Sequence, residues 1–377
     1  MKLVYLDNAA TTKMSKRVIE EMIESFENIY GNPSSTHTLG QKAKAVVENA
    51  RHIVAKNLKV EAKEIVFTSG GAEGNNLVIK GFLKQNKDKG KHIITTKIEH
   101  STVLKTFESL EKQGYDVTYI DVTKDGIIDV EKLKKAVRKD TALVSVMFVN
   151  NETGVIQPIK EIGEFLKEKE IFFHTDAVQA IGKFEIYPKE LRIDALTVSS
   201  HKFYGPKGTG FVFIDKKYNI EKEIFGGSQE RNRRAGTENV NGILGTGVAL
   251  EEVYEKMEVI FEHEKKIQEY LEEKLKNEIG KIQKVEINGE NSRRVKNITN
   301  VFIENTDIQM LLVALDMRGI CVSGGSACMS GSLENSYVLE AMGLNDEKLK
   351  SSFRISIGKD TTIEEIDYFI ENLKEMI

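Results

Sequence analysis

The chain has 377 residues, 40% hydrophobic and 30% charged, with a formal net charge of −4. That mixture fits a soluble globular protein with a sizeable core, built as two or three domains or as one large domain with a smaller companion. It lacks the basic footprint of a nucleic-acid binder, since the densest basic run, Arg231, Arg233 and Arg234, is short enough to be a solvated loop. The longest apolar runs, such as 310–315, fall well below the roughly 18 residues of a membrane span. Asp7 and Asn8 arrive too early for a signal peptide, so the expected location is the cytoplasm.

In chain order, Val18, Ile19, Met22, Ile23 and Phe26 predict a helix with one apolar face and Ser15 as its N-cap. Ala43, Val46, Val47, Ala50, Ile53 and Val54 predict a second. Short apolar runs then recur at 65–67, 92–94, 117–120, 143–149, 171–173, 195–198 and 210–214, with helical stretches between most of them. Strands buried on both faces have this pattern, which predicts a mainly parallel sheet covered by helices. A long helix over 240–278 follows, charged on one side and carrying Leu250, Val253, Met257, Ile260 and Phe261 on the other. It leads to a smaller α+β unit: strand 298–303, helix 308–317, a strand, a loop and a helix, then strand 353–357 and helix 363–376.

Four places carry candidate chemistry. Lys202 follows a predicted strand and precedes a glycine-rich stretch, and a lysine used for Schiff-base chemistry must lose its proton. Taken alone it reads more readily as one surface lysine among many. Asp176 lies just past the run 171–173, where parallel sheets bind ligands, and a pyridinium nitrogen would suit a buried acid there. Its plain alternative is a helix N-cap. Gln179 stands three residues on, able to donate to a ring oxygen. Residues 68–74, TSGGAEG, read as a strand, a glycine-rich turn and a helix N-terminus suited to phosphate, or as an ordinary turn. Cys328 sits among small residues, a setting that suits an exposed, reactive thiol or, equally, a loop cysteine with no role. Cys321, within an apolar run, reads as a small buried hydrophobe. Two cysteines so spaced fit neither a disulfide scaffold nor a structural zinc site, and no metal is expected.

Each feature is ambiguous singly, but their order is specific. YLDNAATT at 5–12, GNPSSTH at 31–37, FTSGGAEGNN at 67–76, EHSTV at 99–103 and VNNETGVIQPI at 149–159 come first. HTDAVQAIGK at 174–183, SSHKFYGPKGTGF at 199–211, RRAGTENV at 233–240, SGGSACMSGSLENSYVLEAMG at 323–343 and SFRISIGKDTTIEEID at 352–367 complete the set. With these segments the chain resembles, over essentially its whole length, the cysteine desulfurases of the first group, the NifS/IscS type.

That resemblance implies an α/β fold of pyridoxal-phosphate fold type I, with a mainly parallel seven-stranded sheet in a large domain and a smaller α+β domain. It implies a large cofactor-binding domain over 13–250, and a small domain from 1–12 and 251–377 carrying the cysteine loop at about 323–335. It further implies a homodimer using pyridoxal 5'-phosphate. Lys202 would hold the cofactor, Asp176 would pair with the pyridine nitrogen and Gln179 with the ring hydroxyl. His100 would stack on the ring and take a proton from the substrate thiol, and Asn151 would touch cofactor or substrate. Gly71, Ala72, Ser199, Ser200 and His201 would cradle the phosphate, with Thr237 reaching in from a partner subunit. Arg354, helped by Asn32, would grip the carboxylate of L-cysteine. Cys328 would take the sulfur as a persulfide, leaving L-alanine, and pass it to an acceptor for iron–sulfur cluster assembly or transfer-RNA thiolation.

Two residues depart from the family pattern. Ala72 stands where a threonine is usual, which predicts slightly weaker cofactor binding, and Met329 stands where a small hydroxyl residue is common. A selenocysteine lyase, an aminotransferase-like enzyme and a catalytically silent sulfur-carrier scaffold remain as alternatives.

Overall fold

In the computed structural model, which describes residues 2–325 and 335–377, strand β1 (Val4–Tyr5) precedes helices α1 (Lys16–Asn28) and α2 (Thr38–Leu58). Then come β2 (Ile65–Thr68), α3 (Gly71–Gln85), β3 (His92–Thr96), α4 (Ser101–Glu111), β4 (Asp116–Ile120), α5 (Val130–Ala136) and β5 (Thr141–Ser145). They are followed by α6 (Ile159–Glu168), β6 (Phe172–Asp176), β7 (Ala195–Ser199) and β8 (Gly210–Ile214). A turn-like α7 (Gln229–Asn232) leads into α8 (Val240–Glu255) and α9 (Met257–Asn277). The remainder comprises β9 (Val285–Ile287), β10 (Ile298–Ile303), α10 (Ile308–Asp316), β11 (Ile320–Cys321), α11 (Tyr337–Ala341), α12 (Asp346–Lys350), β12 (Ser352–Ser356) and α13 (Ile363–Lys374).

The main sheet has seven strands in the order β2-β8-β7-β6-β5-β3-β4. Its neighbours pair in parallel except around β8, which runs antiparallel to both β2 and β7. Strands β2, β3, β5, β6, β7 and β8 are buried along their whole length, as expected of a sheet covered on both faces. The seven apolar runs of the sequence correspond to these six strands and to β4, an edge strand that is mostly half-buried, though β5 stops at Ser145 and the apolar residues up to Val149 leave the ladder. One apolar cluster joins the sheet to α2 and α8, through residues such as Val47, Val54, Val198 and Leu250. Another covers the opposite face with Leu77, Phe82 and Phe107 of α3 and α4. A separate cluster gathers Val4 and Leu6 with Leu271, Val301, Leu315, Phe353 and Phe369, around the three-stranded sheet β12-β10-β9.

Several local expectations need correction. The predicted helix over 240–278 is two helices broken at Lys256, whose backbone (φ −107°, ψ 9°) leaves the helical region. Phe261, expected on the apolar face, is among the exposed large hydrophobics, and Cys321 is only half-buried. Ser15 does cap α1, its hydroxyl accepting the Val18 N–H, but most of that helix's apolar face looks outward. Ile19, Ile23 and Phe26, with Tyr30 beyond the helix, are exposed and only Val18 of the expected face is buried. At α7, Glu230, Arg231 and Asn232 all take left-handed backbone angles. Arg51 on α2 holds this turn with a buried two-pronged bond to Glu230 at 2.7 and 2.8 Å. Among the described residues no helix is long and apolar enough to cross a membrane.

Candidate active site

The carboxyl ends of β2, β3, β5, β6 and β7 border one cavity of about 520 Å³. This is the edge at which open parallel sheets bind ligands. Gly71, Ala72, His100, Asn151, Asp176, Gln179, Ser199, His201, Lys202 and Arg354 all line it, although they come from stretches far apart in sequence.

Beyond β2 the chain turns at Gly70, where φ is +141°, a value side chains other than glycine's rarely permit, and enters α3. The first-turn amides of Gly71, Ala72 and Glu73 have no intrahelical acceptor, and the helix dipole adds positive potential there. A Cβ on Gly71 would stand 3.1 Å from a Val178 methyl, so the small residue keeps this cradle open. Ser199, His201 and Lys207 line the same cavity. Burial, together with the positive charges of Lys202 and Lys207, pushes the His201 imidazole down to about 4, so the ring is neutral at physiological pH.

Asp176 ends β6 with its carboxylate fixed from both sides. Asn75 Nδ2 donates to Oδ2 at 2.8 Å, and the Val178 N–H donates to Oδ1 at 3.0 Å. No helix follows, so Asp176 is not an N-cap. Asn75 also donates to Thr102 Oγ1 at 2.9 Å, which connects Asp176 to the start of α4. His100 caps that helix, its Nδ1 accepting the Thr102 N–H at 3.2 Å. In the neutral ring this leaves the proton on Nε2.

Lys202 follows β7 in a single 3₁₀ turn, and its Nζ donates to the carbonyls of Ala9 and Ala10 at 2.6 and 2.8 Å. Gln179 Nε2 donates to the same Ala9 carbonyl at 2.8 Å. Arg354, on β12, is 1% exposed and reaches the cavity between Asp7 and Asn151. One of its terminal nitrogens meets Asp7 Oδ1 at 2.8 Å and the other the Asn151 carbonyl at 2.9 Å. Arg354 Nε and Asn151 Oδ1 are buried and have no partner among the described residues. Unmet polar atoms of this kind are costly unless a ligand supplies their hydrogen bonds.

Three sequence-derived candidates lie elsewhere. Ser200 is fully buried and its hydroxyl pairs with Thr246 at 2.7 Å, turned toward α8. Thr237 and Asn32 are exposed and do not line the cavity of the single chain. Asn32 instead accepts the Ser34 N–H in its own turn. Cys328 and Met329 lie outside the described residues. Asp7, Asn75 and Lys207 were missed as individuals, although each falls inside a matched motif: YLDNAATT, FTSGGAEGNN or SSHKFYGPKGTGF.

The cavity's fittings suit a phosphorylated pyridine ring. A helix N-terminus would face the phosphate, the fixed carboxylate would face the ring nitrogen, and a lysine amine lies at the same cavity. Known proteins agree with this chemistry. The family model for class-V aminotransferases matches residues 4–369. A protein named cysteine desulfurase IscS from Clostridium botulinum is 47% identical over 100% of this chain and 94% of its own length. The solved structure of a NifS-like protein superposes with a TM-score of 0.93 at 38% identity, covering 99% of both chains. A structure described as SspA in complex with cysteine has a TM-score of 0.84 at 34% identity, covering 95% of this chain and all of the other. Full-length likeness, joined to a sheet edge fitted for pyridoxal phosphate, makes this chain a member of the class-V aminotransferase family and, within it, of the cysteine desulfurases.

Proposed function

We propose that the chain converts L-cysteine to L-alanine and carries the sulfur as a persulfide on Cys328. The observation that carries this reading is the convergence of Lys202, Asp176, His100 and Arg354 on one cavity in a chain of desulfurase descent. Pyridoxal phosphate, when bound, supplies an electron sink for negative charge at the substrate's α-carbon. The phosphate would rest on the Gly71 and Ala72 amides with Ser199 and His201. Asp176, oriented by Asn75, would keep the ring nitrogen protonated. Gln179 would turn its remaining N–H to the ring hydroxyl.

Lys202 would hold the cofactor covalently and, once displaced by substrate, move the α-proton. Its carbonyl contacts at Ala9 and Ala10 mark where the freed amine can return. Arg354, braced by Asp7, would offer its unmet Nε to the substrate carboxylate, with Asn151 beside it. His100, its Nδ1 held at the Thr102 N–H, would stack on the ring and exchange a proton with the substrate thiol. Cys328, as thiolate, attacks the substrate sulfur. The carbon–sulfur bond breaks, its electron pair stays with the carbon skeleton that leaves as alanine, and an acceptor protein later collects the sulfur.

The finer assignments belong to the same reading. Residues 13–250 would form the cofactor-holding domain, and 1–12 with 251–377 the smaller one. The separate apolar cluster that joins Val4 and Leu6 to residues beyond 266 supports this. The working unit would be a homodimer in the cytoplasm, with Thr237 and Asn32 serving the partner's cavity. Iron–sulfur scaffolds and transfer-RNA thiolation carriers are the acceptor classes.

The test is alanine release from cysteine by the cofactor-loaded protein. Cys328→Ala should keep the cofactor's yellow absorbance and lose alanine release, and Lys202→Ala should lose the absorbance. Full turnover by Cys328→Ala would refute the reading.

A further inference from the structure

Five charged side chains line the cavity: Glu73, Asp176, Lys202, Lys207 and Arg354. Four are engaged. Asp176 accepts from Asn75 and from the Val178 N–H, and Arg354 is braced by Asp7. Lys202 gives its amine to the Ala9 and Ala10 carbonyls. Glu73, in the first turn of α3, pairs with Arg234 Nε at 2.9 Å and accepts the Ser69 N–H at 2.9 Å. Lys207 is exposed and makes no hydrogen bond or ion pair among the described residues.

The chain sets Lys207 at the anion-binding end of the cavity. It stands at the corner of a turn between Pro206 and Gly208, whose φ of +73° is the value glycine supplies at such a corner. The Thr209 hydroxyl closes this turn on the Pro206 carbonyl at 3.2 Å. β8 then starts at Gly210, where a Cβ would stand 2.9 Å from the Gly70 Cα. The turn therefore lies beside the place where the chain swings into α3. Burial and the charges of Lys202 and Lys207 keep the His201 imidazole neutral, so Lys207 is close enough to act on the cradle. A phosphate monoester carries about 1.5–2 negative charges near neutral pH. A helix N-terminus offsets about half a charge. The Gly71 and Ala72 amides, the Ser199 hydroxyl and a neutral His201 donate hydrogen bonds but bring no full charge. Roughly 1–1.5 negative charges would stay unbalanced.

We propose that Lys207 is a further cofactor-binding residue, the cation that balances the phosphate at the start of α3. The inference rests on the phosphate placement given above. An ammonium on a flexible stem acts as a point charge, so charge rather than a fixed fork of donors is what this position supplies. Lys207 touches no reacting atom in this account, and its effect falls on holding the cofactor.

The experiment titrates the full-length protein, stripped of cofactor, with pyridoxal 5'-phosphate and separately with pyridoxal, which has the same aldehyde and ring but no phosphate. Absorbance reads both. Lys207→Met keeps the apolar stem and loses the charge. It should raise the dissociation constant for pyridoxal 5'-phosphate about tenfold and leave that for pyridoxal unchanged. Lys207→Arg should stay within about twofold of the wild type. The gap between Lys207→Met and the wild type should narrow as salt rises. Wild-type affinity of Lys207→Met for pyridoxal 5'-phosphate overturns the proposal. So does an equal loss for both ligands, which marks a general disturbance of the cavity, and so does a Lys207→Arg protein as weak as Lys207→Met. The wild-type protein separates the two failures. No preference there for pyridoxal 5'-phosphate over pyridoxal sinks the phosphate placement itself, whereas a preference kept intact in Lys207→Met sinks only the role of Lys207.

Discussion

Glu99 is a buried acid that no cation faces among the described residues. Its Oε1 accepts from Thr96 Oγ1 at 2.7 Å and from the Met147 N–H at 2.9 Å, and Oε2 has no partner among the described residues. Burial, aided by the negative charge of Asp176, pushes its carboxyl up to about 8 despite those hydrogen bonds. The folded protein therefore keeps a proton that the unfolded chain releases above 4.5. The stability linked to that proton is full below the unfolded value and is lost as pH climbs through about 8. Urea midpoints should accordingly fall between pH 5 and 8, and Glu99→Gln should flatten that fall; parallel slopes for the two proteins would contradict it. Ala72 carries a second prediction. A threonine there adds a hydroxyl at the phosphate cradle, and Ala72→Thr should tighten cofactor binding by about 0.5–1.5 kcal/mol. Titration of the apo-protein measures this, and no gain would count against the cradle. Neither the state of Glu99 nor the tautomer of His100 was legible in the sequence, because both follow from partners brought close only by folding.

Arg51 and Glu230 join α2 to the turn of left-handed residues at α7. Both side chains are buried, and Glu230 Oε2 also accepts the Phe67 N–H at 2.9 Å. Removing one partner strands the other charge, so Arg51→Ala should destabilise the fold by about 3–5 kcal/mol, read by denaturant melting. A loss under about 1 kcal/mol would show the turn to be held by something else. No glycine marks that turn, and the sequence shows only a short basic run there. The break at Lys256 was equally hidden. Glu252, one turn earlier, receives Ser15 Oγ, Lys256 Nζ and Lys359 Nζ, contacts no helical periodicity can forecast. The sheet strands were easier to read, because burial on both faces writes a continuous apolar run into the chain.

The apolar row on α1 bears on the homodimer proposed above. Ile23 is 54% and Phe26 62% exposed on a helix whose pattern predicted burial, and a second copy of the chain would account for it. Ile23→Asp with Phe26→Asp should shift the protein to monomers in sedimentation and weaken cofactor retention, and an unchanged dimer would exclude this face. The expected layout of sheet and smaller α+β unit was recoverable because ten motifs lie along the whole chain, whereas Thr237 and Asn32 are exposed away from the cavity of their own chain. The bond between Asp7 and Arg354 spans 347 positions. A nascent polypeptide still short of its last two dozen residues therefore has Lys202 and the start of α3, yet lacks the arginine proposed to hold the substrate. In the reading above, competence for cysteine would therefore wait on the closing strand of the smaller sheet, β12.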